Sequence, residues 1–490
     1  MSSGQSLKGA ISPGEFRINK AELHLSNGEK INLADSKTGF GSLVFEEDIE
    51  QSAIMGEIIF LDTLNAANRG PITGGEVLDI EIATSTEFQD ETAIIDFSKN
   101  NLIVTGLGNY TVDDHPTGAV TSLSFCTQEI VENYRSRVSQ SFEGTYSDIV
   151  EEIMDKVLKS GKNLYIEPSV NKKKIVAPNV PPFEIIKMAM EEAMNDQREP
   201  TYYFYETTMG YHFRTLMDMY DSEDKAVFKY HDDQIGLASP ATKNIGKNWE
   251  HAITQILSFN VMSRTNLLDN LDYGVYASKL IEHDIYNKTY QEYEYDYFDG
   301  PIETHIAPNE PIYSKKPVVN GKTLAEDKMQ TYLVPTALKN IDAQTDAQHS
   351  SSYGTGSGNF PEYGFSAKNG KNWLQRRKSM RRQISDTDGA TTLMLLVPGN
   401  TIINAGDCIQ VNITERAGSS ADQSADPLLS GTFLIKKIRH EFNNNQGLVH
   451  MMMLTVVKDS TPNEFRGQFD SGKSPSKGSF RKIESYYEAF

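Results

Sequence analysis

Residues 74–82 read GGEVLDIEI, and residues 405–413, 331 positions further along, read AGDCIQVNI. In both, glycine is followed by an acid (Glu76 or Asp407) and then by alternating apolar residues: Leu78, Ile80 and Ile82 in the first, Ile409, Val411 and Ile413 in the second. A period of two marks a strand with one buried face, so Val77 and Asp79 are expected to point one way and Leu78, Ile80 and Ile82 the other. The same offset, without a gap, carries Leu102, Ile103, Val104 and Leu107 onto Phe433, Leu434, Ile435 and Ile438, and Leu123 and Phe125 onto Leu454 and Val456. Strands share a small alphabet, so one match means little. A common offset across three strands joined by loops of equal length points to a duplicated β unit; the alternative is two unrelated sheets with similar turns. The front halves match less well: IEQSAIMGEIIFLD (49–62) has an expected partner in LDNLDYGVYASKLIEHD (268–284), with Gly56 against Gly274.

Around this repeat the character of the chain changes three times. From Phe16 to Phe125 short apolar runs are bounded by Asn27-Gly28, Gly39–Gly41, Gly74-Gly75 and Gly106–Gly108, which is antiparallel β chemistry. Residues 147–161 carry Ile149, Ile153, Val157 and Leu158 at helical spacing and stop at Gly161. A second helix is expected after Pro181-Pro182, with prolines at its start. TYYFYETTMGYHFRTL (201–216) reads as an aromatic hairpin turning at Met209-Gly210. After Trp249 the pattern is β again, residues 303–370 have weak periodicity, and WLQRRKSMRRQ (373–383) reads as a short basic helix. The expected organisation is a β-barrel unit over 1–125, an α/β region over 126–245, a second β unit from 246–302 and 386–460, an insertion over 303–385, and a polar tail over 461–490.

Composition narrows the function classes. A chain of 490 residues, 38% hydrophobic and 10% aromatic, supports several cores. Its net charge of −20 opposes unaided binding to nucleic acid or to an anionic membrane. Cys126 and Cys408, far apart in apolar alternating segments, read as buried free thiols. Met1–Ile18 lacks the charged start and apolar centre of a signal peptide, and no run approaches a membrane span, so the chain is expected to fold in a cytoplasm.

No constellation points to catalysis, a metal or a cofactor. His440 and His450 flank a polar turn and read as surface or interface histidines, since no third ligand has suitable spacing. His231-Asp232-Asp233 reads as a solvated loop, and SDTDGA (385–390) lacks most of the acids of a calcium loop. The run Arg376, Arg377, Lys378, Arg381 and Arg382 reverses the local charge. It reads as a solvated helix face, a site for an acidic protein partner (another copy of this chain being the nearest) or, least, a nucleic-acid contact.

LVFEEDIEQSAIMGEIIFLDTLN (43–65), PITGGEVLDIEI (71–82), YYFYETTMGYHFRTL (202–216), VPGNTIINAGDCIQVNI (397–413) and SGTFLIKKIRHEF (430–442) together resemble the baseplate hub proteins of contractile-tailed phages. The resemblance spans about residues 16–460, and it rests on the order and spacing of the segments. It implies a mainly β fold with two tail-tube-like barrels per chain. Three chains would form a ring of pseudo-sixfold symmetry, located in the virion, that joins a hexameric tail tube to a trimeric spike. Implied partners are further copies of the chain, the tail tube and central spike proteins, baseplate wedge and tape-measure proteins, and DNA only in transit. The hub of a phage-like secretion or bacteriocin particle, and a tail-associated cell-wall hydrolase, are the competing readings. In such a ring an acidic lumen would let DNA pass without sticking, and the alternating strand YQEYEYDYF (290–298) offers Glu292, Glu294 and Asp296 on one face for that wall, or for an ordinary solvated face.

Overall fold

The computed structural model describes residues 14–34, 38–63, 72–84, 94–97, 102–112, 119–170, 172–197, 199–222, 226–230, 253–263, 267–284, 289–297, 318–323, 330–336, 373–383, 391–401, 403–414, 426, 429–444 and 447–459. The loop expected at His231, the calcium-like turn at 385–390, and the tail beyond 460 lie outside them.

The chain is mainly β and mainly antiparallel, as its patterning requires. The first unit holds β1 (Phe16–His24), β2 (Lys30–Asn32), β3 (Thr38–Asp48), β4 (Met55–Asp62), β5 (Val77–Thr84), β6 (Ile94–Asp96), β7 (Leu102–Val112) and β8 (Ala119–Thr127). The middle region holds β9 (Ser141–Thr145), β10 (Leu164–Ile166), β11 (Lys172–Val176), β12 (Tyr202–Thr207) and β13 (Gly210–Thr215). Its helices are α1 (Gln128–Arg135), α2 (Tyr146–Glu152, continued by a π-helical stretch), α3 (Pro182–Glu192) and α4 (Leu216–Tyr220). After β14 (Val227–Tyr230) and β15 (Ser258–Ser263) come α5 (Leu267–Asp272), β16 (Ala277–Asp284), β17 (Thr289–Asp296), β18 (Val318–Val319), β19 (Lys322–Thr323), β20 (Gln330–Thr336) and α6 (Trp373–Gln383). The chain ends, among described residues, with β21 (Thr391–Pro398), β22 (Cys408–Ile413), β23 (Gly431–Asn443) and β24 (Val449–Lys458).

The duplication is visible bond for bond. Val77 faces Ile103 and Leu78 faces Leu102; 331 residues on, Cys408 faces Leu434 and Ile409 faces Phe433. Ile103–Cys126, Val104–Phe125 and Leu107–Leu123 recur as Leu434–Val457, Ile435–Val456 and Ile438–Leu454. One bulge recurs as well, between Val104 and Gly106 and between Ile435 and Lys437, whereas the second irregularity of β7, between Leu107 and Tyr110, has no counterpart in β23. At the turn ahead of β5 the Glu76 carboxylate accepts from Thr73 N at 2.9 Å, and ahead of β22 Asp407 accepts from Asn404 N at 3.0 Å. Gly75 and Gly406, the equivalent glycines, both have positive φ (97° and 89°), where a side chain would be strained.

The front halves differ from the expected match. β21 pairs with β24 as β4 pairs with β8, and β15 pairs with β21 as β3 pairs with β4. The strand from the segment expected to match 49–62 is β16, and it sits instead in a separate three-stranded sheet between β17 and β20. Alternation alone cannot tell two such strands apart, since it records only that one face is buried. Residues 264–390 thus lie between β15 and β21, whereas β3 and β4 are joined directly by residues 49–54.

The two units do not close into separate barrels among the described residues. Their strands form one fourteen-stranded sheet in the order β15-β21-β24-β23-β3-β4-β8-β7-β5-β1-β2, with β22 and β14 beyond β23 and β6 beside β5. Each half curls over its own core: Phe16 of β1 reaches back to Phe40 of β3 with ring centroids 6.2 Å apart. One core gathers Leu23, Leu43, Phe45, Phe60, Leu78 and Phe125, another Leu393, Leu395, Ile409, Phe433, Ile438 and Leu454. The middle region has a third core around Phe142, Ile149, Ile185, Tyr211 and Phe213. Cys126 and Cys408 are buried free thiols. No helix among the described residues is long and apolar enough to cross a membrane.

Candidate assembly interface

The feature that organises the molecule is the seam where the units meet, β3 against β23. Seven antiparallel pairs run from Lys437–Asp48 to Asn443–Ser42. Period two sends Leu43, Phe45 and Glu47 of β3 inward with Ile438, His440 and Phe442 of β23, all buried. Phe442 belongs to the first unit's core although it lies on the second unit's strand, and its ring sits 5.0 Å from that of Phe16. On the opposite side of the seam Lys437 Nζ pairs with Glu46 at 2.6 Å, and Arg439 bridges Glu46 and Glu441.

Three buried ionisable groups sit on the seam's inner face. Glu47 is fully buried; its Oε1 accepts from Thr208 N at 2.8 Å and its Oε2 from Ala405 N at 3.0 Å. One carboxylate therefore joins the first unit, the hairpin turn of the middle region and the second unit. Burial pushes its pKa up to about 7, against the lowering effect of those donors. His440 and His450, expected at the surface or an interface, are core residues. They share one hydrogen bond of 3.2 Å between Nδ1 of His440 and Nε2 of His450, and stack on Phe45 and Phe442. Burial drives both down, His440 to about 3. Uncharged rings in an aromatic stack are packing groups; Glu47 Oε1 lies 3.9 Å from His440 Nε2, and the three do not form a metal-holding cluster among the described residues.

A second latch ties the middle region to the first unit. Lys162, almost fully buried, pairs with Glu129 at 2.6 Å and Glu206 at 2.5 Å. Glu206 also accepts from Ile54 N and Thr127 Oγ1, both at 2.8 Å. Burial would lower the lysine, but the two carboxylates outweigh it and hold its pKa above the ordinary value. Removing the lysine would leave two buried carboxylates without their cation.

The basic residues singled out in the sequence lie on α6, and the described ones are engaged within the chain. Arg377 donates to the Glu191 carbonyl, and burial pushes it down to about 10. Arg381 donates to the Tyr202 carbonyl at 2.6 Å and lies over the Tyr203 ring; Arg382 lies over Tyr273 and Lys378 over Tyr332. Arg376 occupies the same helix. The acidic candidates sit on β17, outside the large sheet: Glu292 and Glu294 are exposed, Glu292 pairs with Lys279 at 2.5 Å, Asp296 is half-buried, and Tyr295 and Tyr297 are buried on the other face. Among described residues Glu22, His24 and Asp79 come within 4.8 Å of one another, but Lys20 Nζ lies 2.9 Å from Asp79 and already supplies the positive charge.

Sequence reading missed Glu47, His440 and His450 as buried groups. The signal was present: each occupies an inward position in an alternating run, Leu43-x-Phe45-x-Glu47, Ile438-x-His440-x-Phe442 and His450-x-Met452-x-Leu454.

Neither family models nor curated protein sequences match the chain. Solved structures similar to it include the tail protein from Neisseria meningitidis MC58, at 9% identity and a TM-score of 0.46, covering 92% of this chain and 98% of that one. The 43 kDa tail protein of prophage MuSo2 from Shewanella oneidensis is 11% identical with a TM-score of 0.46, over 91% of this chain and all of the other. The E. coli c3393 protein, a component of the type VI secretion system, is 8% identical with a TM-score of 0.39, over 91% and 77%.

Proposed function

We propose that this chain is a structural, non-enzymatic hub of a phage contractile-tail baseplate, acting as a ring of three between a hexameric tail tube and a trimeric spike. The observation that carries the reading is the internal repeat, in which β5, β7 and β8 recur as β22, β23 and β24 at an offset of 331 with one bulge in common. A chain with two equivalent units can meet sixfold symmetry on one side and threefold on the other, because three copies present six similar units. In this reading the wall of the passage is the solvent side of the large sheet, where Glu46, Lys437, Arg439 and Glu441 are paired among themselves. β17 and α6, with the separate sheet, belong to the inserted part. Partners are further copies of the chain, the tube and spike proteins, and wedge or tape-measure proteins, with DNA in transit only.

The test is the mass of the purified chain, alone and mixed with its tube and spike partners. A species of three copies, imaged as a ring with six similar lobes, is the expected result. A chain that stays a monomer with both partners present would sink the hub.

A further inference from the structure

The two oxygens of Glu47 hold two different parts of the chain. Oε1 accepts from Thr208 N, in the turn of the β12–β13 hairpin, at 2.8 Å, and Oε2 from Ala405 N, in the turn ahead of β22, at 3.0 Å. Thr208 Oγ1 also donates to Asn404 Oδ1 at 3.1 Å, so the two turns meet beside the carboxylate. An ionised carboxylate only accepts, and it can serve both N–H groups at once. A protonated one has a hydroxyl oxygen, which donates and accepts poorly. Protonation must therefore treat the two bonds unequally, and the surroundings decide which one loses.

A buried proton needs an acceptor. On the Oε1 side His440 Nε2 lies 3.9 Å away, buried and without a hydrogen-bond partner among the described residues. The other ring nitrogen, Nδ1, is bonded to His450 Nε2 at 3.2 Å. When His440 Nδ1–H donates in that bond, its Nε2 is bare and can accept from a protonated Glu47. When His450 Nε2–H donates instead, His440 carries its proton on Nε2, facing an ionised Oε1. The histidine pair thus has a tautomer for each state of Glu47. On the other side Asp407 already accepts from Asn404 N at 3.0 Å, and its charge opposes the ionisation of Glu47. Behind the hairpin turn stand Tyr205, which burial keeps un-ionised, and Arg214, paired with Asp218 at 2.6 Å. Asp48, next along β3, feels Lys436, Lys437 and Glu50.

We propose that Glu47 is a proton-operated latch: ionised, it ties both turns to the seam; protonated, it gives its Oε1 proton to His440 as a hydrogen bond and loosens the hairpin turn, while the tie to Ala405 remains. Oε1 needs to move about 1 Å to bring His440 Nε2 within hydrogen-bond range. The Thr208 bond then loses both its acceptor and the assistance of a charge, and the Ala405 bond loses the charge alone. Protonation relieves the burial of a charge, and the hairpin tie is what it gives up. Burial also sets where the change falls: it lifts the carboxyl to about 7, so the hairpin is latched above neutral pH and loosened below it. The rest of the hairpin has holds that do not involve Glu47, such as Tyr211 N on the Asn163 carbonyl at 2.9 Å. The latch stands whether or not the chain is a hub.

Hydrogen exchange of the full chain at pH 6, 7 and 8, read at single amides and divided by the intrinsic rate at each pH, tests the proposal. The protonated fraction of a group titrating near 7 rises about tenfold from pH 8 to pH 6, so the Thr208 amide should exchange about tenfold faster at the lower pH. Ala405 should change less and Tyr211 not at all. In Glu47→Gln the dependence at Thr208 should vanish. In His440→Phe, which keeps a stacking ring but removes the acceptor, its midpoint should move to lower pH. A Thr208 amide indifferent to pH overturns the latch, as does a pH dependence that survives Glu47→Gln. Equal changes at Thr208 and Ala405, or a loss at Tyr211 as large as that at Thr208, overturn its selectivity for the turn. An unchanged midpoint in His440→Phe overturns the assignment of the histidine as acceptor.

Discussion

The two β units carry one ladder and differ in what stands beside it. In the first, β3 lies along β23, and residues 49–54 lead straight into β4. In the second, β15 has β21 on one side, and residues 264–390 intervene before the ladder resumes. A ladder keeps its register under such insertion because register is set by its inward-facing residues and by the short loops inside it. A connection at its margin tolerates length because loop-closure entropy grows slowly. Burial of a repeated position, by contrast, depends on the neighbour: Leu43 is fully buried, whereas its equivalent Phe259 is half-buried with its ring against Tyr230.

The largest effect should come from breaking the shared core. Phe442→Ala removes a ring that the first unit borrows from the second unit's strand, and such truncations cost about 3–5 kcal/mol where the site cannot collapse. Phe259→Ala, at a half-buried equivalent of the seam, should cost the isolated chain roughly half as much or less. Denaturant titration of the unassembled protein measures both. Equal losses would mean that the seam buries no more than its equivalent in the second unit, and the comparison would fail.

Legibility in the sequence followed the same division. Strands β5, β7, β8 and β22–β24 could be aligned because the loops between them are equal in length, so a constant offset survived. The equivalence of β3 and β4 with β15 and β21 was hidden, because the inserted residues 264–390 separate the second pair. The decoy β16 alternates as well as the true counterpart does, since it has a buried face of its own against Met194 and Tyr293. The basic run could be placed on a helix but not given its partners. Whether Arg381 meets water or the Tyr202 carbonyl is decided by residues far away in sequence. Glu47 was legible only as an acid at an inward position.

Glu47 offers the intermediate effect, visible in pH dependence. Its folded pKa of about 7 lies above the ordinary 4.5, so the folded chain holds a proton there that the unfolded chain has released; the stability linked to it is full at low pH and lost as pH rises through 7. His440 and His450 act the other way. Both are held below 6.5, so their share is full at neutral pH and lost as the unfolded histidines protonate. Between pH 5 and 6 the unfolded chain gains two protons against one, and these groups make stability rise with pH by about 1.4 kcal/mol per unit. Glu47→Gln removes the opposing proton, and the slope should approach about 2.7 kcal/mol per unit. The amide also turns a donor toward a backbone N–H, costing about 1–3 kcal/mol at neutral pH. Unfolding titrations at pH 5, 5.5 and 6 check both; an unchanged slope would show that Glu47 stays ionised in the fold.

The smallest effect concerns charge across the seam. Lys437 and Glu46 meet at 2.6 Å, but both side chains are 27% exposed, so solvent screens the pair. Such pairs contribute about 0–1 kcal/mol, less as salt rises. Their equivalents in the repeat are Gly106 and Ser263, which carry no charge. Lys437→Ala should therefore lower stability by under about 1 kcal/mol and leave any assembly intact at physiological salt. A loss above about 2 kcal/mol that fades in high salt would mean that the seam is held by charge rather than by its buried face, a device its uncharged counterparts in the repeat lack.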